Sequence, residues 1–418
     1  MMKSVSIREA YDWLHLGKPI NQPEWDELLQ FLQKKYISFA EIGYGKIRFT
    51  NLVGVIQLST VRIEILPKLI IHDESEQKNR EALLNMLSIT RTLPVSLHEA
   101  TTSKLARADL VHIFAEIYIQ LLIKELRRGV YKEYKLRQEN SSSLKGRFLL
   151  HEHVRKNAFL PIKAYCEYDE IQEDVLLNRI LKAALKLVFP YLSKSSLKTE
   201  SLFIMDMLSN VSDAHVLKKD LEAVQFNRQS RRFEHVFKVA KMILANEMMT
   251  SKYSNSHSFA FLFEMNVLFE SYIERAFRFL ASGQGVQIHA QHDEKRLLVN
   301  VHSGQENIKL KPDFVIDGTD FQMIVDTKWK NILREGRVLY QQADLYQMYA
   351  YVTSYEEAEK TVLLYPRTEE GYLPKWQVPG KQKYIEIQTV RLSSFMETVE
   401  DLRELIALAN QEEKEWRA

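Results

Sequence analysis

From Lys311 to Lys330 the chain reads KPDFVIDGTDFQMIVDTKWK, and this segment limits the possible folds more than any other. Asp313 belongs to one apolar strand, and Asp326 and Lys328 belong to the next, Met323 to Lys328. Between them, Asp317-Gly318-Thr319-Asp320 has the composition of a hairpin turn. With those four residues as the loop, Asp313 lies opposite Ile324, one diagonal step of about 7–8 Å from Asp326 and on the same face. Lys328 follows Asp326 by two residues, and period-two alternation puts it on that face as well. Two carboxylates and an amine then converge at the end of otherwise buried strands, which is costly unless the charges pair or hold a metal. Ligation by oxygen alone suits Mg²⁺ or Mn²⁺, ions that keep several waters and accept phosphate oxygens. An ion of that kind acidifies a bound water and neutralises charge at phosphorus, while a neighbouring Lys can orient the water. The reaction class this suggests is phosphodiester hydrolysis.

The rest of the chain frames this segment. At 418 residues it is long enough for two or three domains, with 27% charged and 45% hydrophobic residues, as in ordinary globular proteins. A single cysteine, Cys166, excludes a disulfide framework, a four-cysteine zinc site and a cysteine-ligated iron–sulfur cluster. It also fits a reducing cytosol, so a cytoplasmic location is expected, and Met1 to Ala10 shows no secretory signal. The longest apolar stretch, Leu110 to Ile123, is broken by Glu116 and is too short for a membrane span. A formal net charge of +2 leans slightly against a dedicated nucleic-acid binder.

Residues 1–100 read as a small, mainly-β region. The spacing of Trp25, Leu28, Leu29 and Leu32 predicts a helix starting near Asn21 or Gln22, and Tyr36 to Leu69 predicts strands. The polar run Ile71 to Arg80 reads as a loop. Residues 101–250 read as helical, roughly Lys104 to Leu136 and Asp174 to Phe189 with further helices to Met249. This middle is dipolar: residues 124–156 hold ten Lys/Arg against four Asp/Glu, and Cys166 to Asp174 holds five carboxylates and no base. Residues 251–418 read as an α/β domain of order αβββαβ: a helix from Phe259 to Leu280, then strands at Val286–Ala290, Leu297–Val301, Ile308–Ile316 and Phe321–Lys328. A helix from Val338 to Ser354, strands at Thr361–Tyr365 and Tyr384–Leu392 and a last helix from Met396 complete it, and the whole is an α+β multidomain chain.

Pro312-Asp313 and Asp326-Thr327-Lys328 on successive apolar strands resemble the PD-(D/E)xK nuclease superfamily. Members usually take a further metal-binding Glu from the preceding helix, where Glu270 is favoured and Glu264 is held in reserve. On the following helix Gln347-Met348-Tyr349-Ala350-Tyr351 matches the Q-x-x-x-Y of the RecB-like branch, in which Gln and Tyr contact DNA. The resemblance narrows further. DTKWK (Asp326–Lys330), DLYQMYAY (Asp344–Tyr351), MNVLFE (Met265–Glu270), VGVIQLSTVRIEILPKL (Val53–Leu69), LKGRF (Leu144–Phe148) and CEYDEIQEDVLLNRIL (Cys166–Leu181) are similar to the McrC family. McrC proteins are the nuclease subunits of modification-dependent (5-methylcytosine) restriction systems.

That resemblance implies a PD-(D/E)xK nuclease core at the C-terminus, Mg²⁺ (or Mn²⁺) bound by Asp313, Asp326 and Glu270, water positioned by Lys328, and DNA contacts from Gln347 and Tyr351. It also implies an AAA+ GTPase hexamer as partner, docked by the middle region. No G-x-x-x-x-G-K-[ST] occurs in the chain, so GTP would be bound by that partner. Arg127, Arg128 and Arg147 are candidates, by charge alone, for stimulating its hydrolysis. A RecB-like repair exonuclease acting alone and a non-catalytic regulator of an AAA+ ring are the alternatives.

Overall fold

The computed structural model describes residues 3–68, 76–93, 99–159, 162–192, 194–250, 259–319, 321–334 and 336–417. The chain forms two compact units, one of Met1–Leu110 with Phe261–Ala418 and the other of Val111–Ala260. The sequence reading separates 1–100 from 251–418; in the fold they make one body. Strand Phe259–Glu264 is the reason, because it joins a four-stranded sheet behind Leu52–Gln57, Val61–Leu66 and Lys3–Arg8. Gly54 permits that junction: a Cβ there would stand 1.8 Å from the Phe261 carbonyl oxygen. The predicted helix from Phe259 is therefore corrected to a strand followed by helix Met265–Gln284.

The first helix, Gln22–Lys35, starts as expected. Asn21 accepts from the Glu24 N–H while the Glu24 carboxylate accepts from the Asn21 N–H, a capping box, and Trp25, Leu28, Phe31 and Leu32 are buried. Residues 71–75 lie outside the described residues, as does Leu69, but the predicted loop is helical from Glu76 (Glu76–Ile89). Its polarity misleads because the charges pair inward: Arg80 binds Glu64 through two nitrogens, at 2.9 and 2.6 Å, and Glu76 at 2.6 Å.

The other large sheet of this unit has six strands in the order Gln287–Ala290, Phe314–Asp317, Gln322–Thr327, Ala358–Pro366, Tyr384–Val390, Lys375–Gln377. The first three form an antiparallel meander, Ala358–Pro366 runs parallel to Gln322–Thr327, and Tyr384–Val390 runs parallel to it in turn. Helix Gln342–Ser354 supplies Met348, Tyr351 and Val352 to a core with Val315, Ile324, Leu363 and Ile387. On the alternate face Phe314 meets Phe277 of helix Met265–Gln284. The predicted strand Ile308–Ile316 is split into Glu306–Lys309 and Phe314–Asp317, since Pro312 has no N–H to give a ladder and Ile308 has a positive φ. Helix Gln342–Ser354 starts four residues later than predicted, leaving Tyr340 outside it.

In the other unit, helix Leu110–Leu126 ends ten residues before the predicted Leu136. Glu133–Ser141 is a strand, paired antiparallel to Ala164–Gln172, which also carries the short strand Arg147–Phe148. The basic and acidic halves of the dipolar middle are thus partners across one ribbon: Arg137 reaches Glu170 at 2.7 Å and Gln138 donates to Glu167 at 2.6 Å. Apolar side chains nevertheless remain exposed on the ribbon, among them Tyr134, Leu136 and Ile171, and Phe159 and Ile162 are exposed just before its second strand. Among the described residues no helix is long and apolar enough to cross a membrane.

Candidate active site

The turn between strands Phe314–Asp317 and Gln322–Thr327 is placed one residue later than the sequence suggests. Gly318 N–H donates to Phe321 O, and the Phe321 ring folds beneath Gly318, where a Cβ would meet it at 2.1 Å. Asp317 pairs with Gln322, while Asp320 lies outside the described residues. The register changes accordingly. Phe314 faces Val325, so Asp313, which immediately precedes its strand, comes opposite Asp326 and not opposite Ile324. The two acids are direct cross-strand neighbours, closer than the diagonal pair expected.

Each acid is held differently. One oxygen of Asp313 accepts from both the Thr327 N–H and the Thr327 hydroxyl, each at 2.6 Å. Asp326 is 2% exposed, and its Oδ2 stands 2.5 Å from Lys328 Nζ as an ion pair, yet it receives no aligned hydrogen bond. Lys328 Nζ donates instead to Gln347 Oε1 at 3.1 Å; Gln347 donates to the Tyr351 hydroxyl at 2.8 Å, and that hydroxyl donates to the Lys311 carbonyl at 2.9 Å. Gln347 and Tyr351 therefore steady the ammonium, and Tyr351 is itself buried.

Burial and the neighbouring Asp313 push the Asp326 carboxyl up to about 6, against the opposing pull of Lys328. Burial lowers Lys328, but the carboxylates around it, Asp326 foremost, outweigh that and raise it. Burial, with Asp326 nearby, raises Tyr351 to about 12. Asp326, paired with Lys328 but buried against a second acid, thus keeps a proton more readily than an ordinary carboxylate.

Glu270 and Glu264 part company. Glu264 ends its strand as an exposed residue beside Tyr36, whose hydroxyl it helps to raise after burial. Glu270 lines the same cleft as Asp313 and Lys328. Burial raises its carboxyl, Gln291 lowers it and Asp313 raises it again. Its Oε1 accepts from Gln291 Nε2 at 2.9 Å, while the Gln291 N–H donates to the Asp313 carbonyl at 2.7 Å. Gln291, held at φ 48°, was not foreseen from sequence. Among the described residues no three His, Cys, Asp or Glu side chains gather closely enough to hold an ion by themselves. What the fold does bring together is the facing pair Asp313 and Asp326, with a buried oxygen on Asp326 that has Lys328 as its counter-ion. That donor set fits an ion that completes its shell with water and phosphate oxygens.

The cleft has a volume of about 670 Å³, and one wall comes from the N-terminal region: Thr50, Asn51 and Lys68 line it with Asn266, Lys330 and Gln341. No spacing signal links these residues to the acids hundreds of positions away. On the neighbouring helix Asp344 pairs with Lys330 at 2.9 Å.

Residues 47–366 match the family model described as McrBC 5-methylcytosine restriction system component. The chain is 22% identical over 300 residues to the type IV methyl-directed restriction enzyme EcoKMcrBC of Escherichia coli strain K12, covering 68% of this chain and 84% of that protein. Among solved structures, a chain in the refined half-complex from a tetradecameric assembly of Thermococcus gammatolerans McrB AAA+ hexamers with bound McrC matches with a TM-score of 0.77 and 19% identity, over 96% of this chain and all of that one. A chain in the cryo-EM structure of the Thermococcus gammatolerans McrBC complex matches with a TM-score of 0.55 and 21% identity, over 66% of this chain and 87% of that one. At such identities the structural likeness establishes a shared fold.

Proposed function

Because the chain belongs to the McrBC 5-methylcytosine restriction system component family, we propose that it is the McrC-like subunit of a restriction complex and carries a PD-(D/E)xK endonuclease that cleaves methylcytosine-containing DNA. The observation that carries this reading is the buried Asp326 carboxylate, facing Asp313 and paired with Lys328 at 2.5 Å. Asp313 and Asp326 are the residues to hold Mg²⁺ (or Mn²⁺), with Glu270 completing the shell from across the cleft. Bound there, the ion supplies polarisation of a phosphoryl oxygen and a more acidic water. Lys328 orients the attacking water and stabilises charge developing on phosphorus, and Gln347 and Tyr351 fix its ammonium at the required place.

The relatives support the partner, and the chain's own sequence supports where the nucleotide binds. Solved structures with this fold come from McrB–McrC assemblies containing AAA+ hexamers, and this chain has no G-x-x-x-x-G-K-[ST]. We therefore assign GTP to an AAA+ partner ring whose hydrolysis this chain stimulates. The exposed apolar side chains of the ribbon, Tyr134, Leu136 and Ile171 among them, supply a docking surface of suitable character. Asp326→Ala, assayed with the partner ring, GTP, Mg²⁺ and methylated DNA, should abolish cleavage while GTPase stimulation persists. Retained cleavage would remove the nuclease assignment.

A further inference from the structure

One carboxylate outside the candidate site reaches both of its halves. Glu9 follows strand Lys3–Arg8 and is completely buried. Its Oε1 accepts from the Trp329 indole N–H at 2.5 Å and lies 3.5 Å from Lys68 Nζ, and its Oε2 accepts from the Asn51 N–H at 3.0 Å. A buried charge is expensive, and an ion pair of this kind is a weak source of net stability. Its partners give it another use.

Trp329 directly follows Lys328, and its ring packs on Phe269, the residue before Glu270, with centroids 5.5 Å apart. Lys68 adds a contact to the Trp329 carbonyl at 3.5 Å. Asn51, at φ 58°, turns its carbonyl to the Met265 N–H at 3.1 Å and its side-chain oxygen to the Asn266 N–H at 2.7 Å. Both N–H groups stand in the first turn of the Glu270 helix, where no partner within the helix is available, and its own N-cap residue, Glu264, provides no side-chain cap. Glu9 thus pins the residue after Lys328 on one side of the cleft and, through Asn51, the first turn of the Glu270 helix on the other.

We propose that Glu9 is a positioning residue that fixes the separation between the Asp326–Lys328 strand end and Glu270, making the N-terminal region a working part of the metal site. The inference rests on reading Asp313, Asp326 and Lys328 as a nuclease site. A misplacement of about 1 Å at such a site can cost about 100-fold in rate, and partners behind metal ligands typically contribute about 10–100-fold in affinity.

The test is Mn²⁺ titration of the full chain by calorimetry, well below the melting temperature of every variant, together with DNA cleavage in the partner complex. Glu9→Gln, which breaks the pair with Lys68, and Trp329→Phe, which keeps the ring but removes its N–H, should each weaken Mn²⁺ binding about tenfold or more. The double variant should be no worse than the poorer single one. Leu28→Ala, a core truncation in the first helix, should lower the melting temperature and leave Mn²⁺ affinity unchanged. Should Glu9→Gln fail to fold, Trp329→Phe carries the test alone. Folded variants with normal Mn²⁺ affinity and cleavage, or fully additive losses, would overturn the proposal. Asp326→Ala separates the two readings. If it binds Mn²⁺ normally, the site assignment itself fails; if it loses Mn²⁺ while the Glu9 and Trp329 variants keep it, only the positioning role fails.

Discussion

Across the ribbon of Glu133–Ser141 and Ala164–Gln172, a base on one strand meets an acid on the other in water, as Arg137 meets Glu170 at 2.7 Å with both side chains well exposed. Across the hairpin of Phe314–Asp317 and Gln322–Thr327, an acid at the cleft surface meets a buried acid, Asp313 opposite Asp326. The first arrangement satisfies itself and adds little to stability, because exposed pairs are screened and their side chains must be ordered. The second is unfavourable on its own terms, since like charges face each other and one is desolvated. Charge that completes itself serves the fold, whereas two facing acids that share Lys328 as counter-ion cost the fold stability.

That contrast can be broken at its stronger end first. Lys328→Ala should lower DNA cleavage by the assembled complex on the order of 1000-fold, read from single-turnover rates; a loss below tenfold would place the water-orienting group elsewhere. Gln291→Ala, which frees the Glu270 carboxylate, should weaken Mn²⁺ binding about 10–100-fold, and an unchanged titration would remove Glu270 from the ion's shell.

Asp326→Asn tests the cost of the buried acid. A carboxyl whose folded pKa lies above its unfolded value contributes stability in its neutral form, fully present below about pH 4 and lost as pH rises through about 6. The Asn variant should therefore be more stable than the parent by about 1–3 kcal/mol at pH 8, and the gap should close below about pH 4. Urea unfolding at the two pH values measures it, and a destabilised variant at pH 8 would mean that the Lys328 pairing outweighs burial. Arg137→Ala, at the other extreme, should leave the thermal midpoint where it was; a clear drop would show that the ribbon's charge pairs matter to folding after all.

Much of the hairpin could be read from sequence because its determinants are local. Apolar runs set the two strands, Gly318 marked the turn, and alternation put Asp326 and Lys328 on one face. The register could not be read. It depends on the Phe321 ring tucking under Gly318, a packing event that moves the turn by one residue and every pairing by two. Glu133 to Leu136 reads as the end of a helix because EYKLRQENS lacks the β-branched run of a typical strand; it is extended because its partner strand begins some twenty residues after Ser141. Gln291 and Glu9 were invisible for a related reason. A polar residue announces its role only through the partners that the fold supplies, and for Glu9 the partner is Trp329, 320 positions away.

The sheet that includes both Leu52–Gln57 and Phe259–Glu264 has a consequence in time. Residues 111–260 are translated between the two parts of the unit that carries the acids, an interval of roughly 8–30 s at about 5–20 residues per second. The first 110 residues leave the ribosome without their neighbouring strand, and Asn51 waits for a helix not yet made. A cell producing this chain thus carries no assembled cleft on nascent polypeptide until the last third emerges, so a DNA-cutting site of the kind proposed would be delayed by the order of synthesis itself.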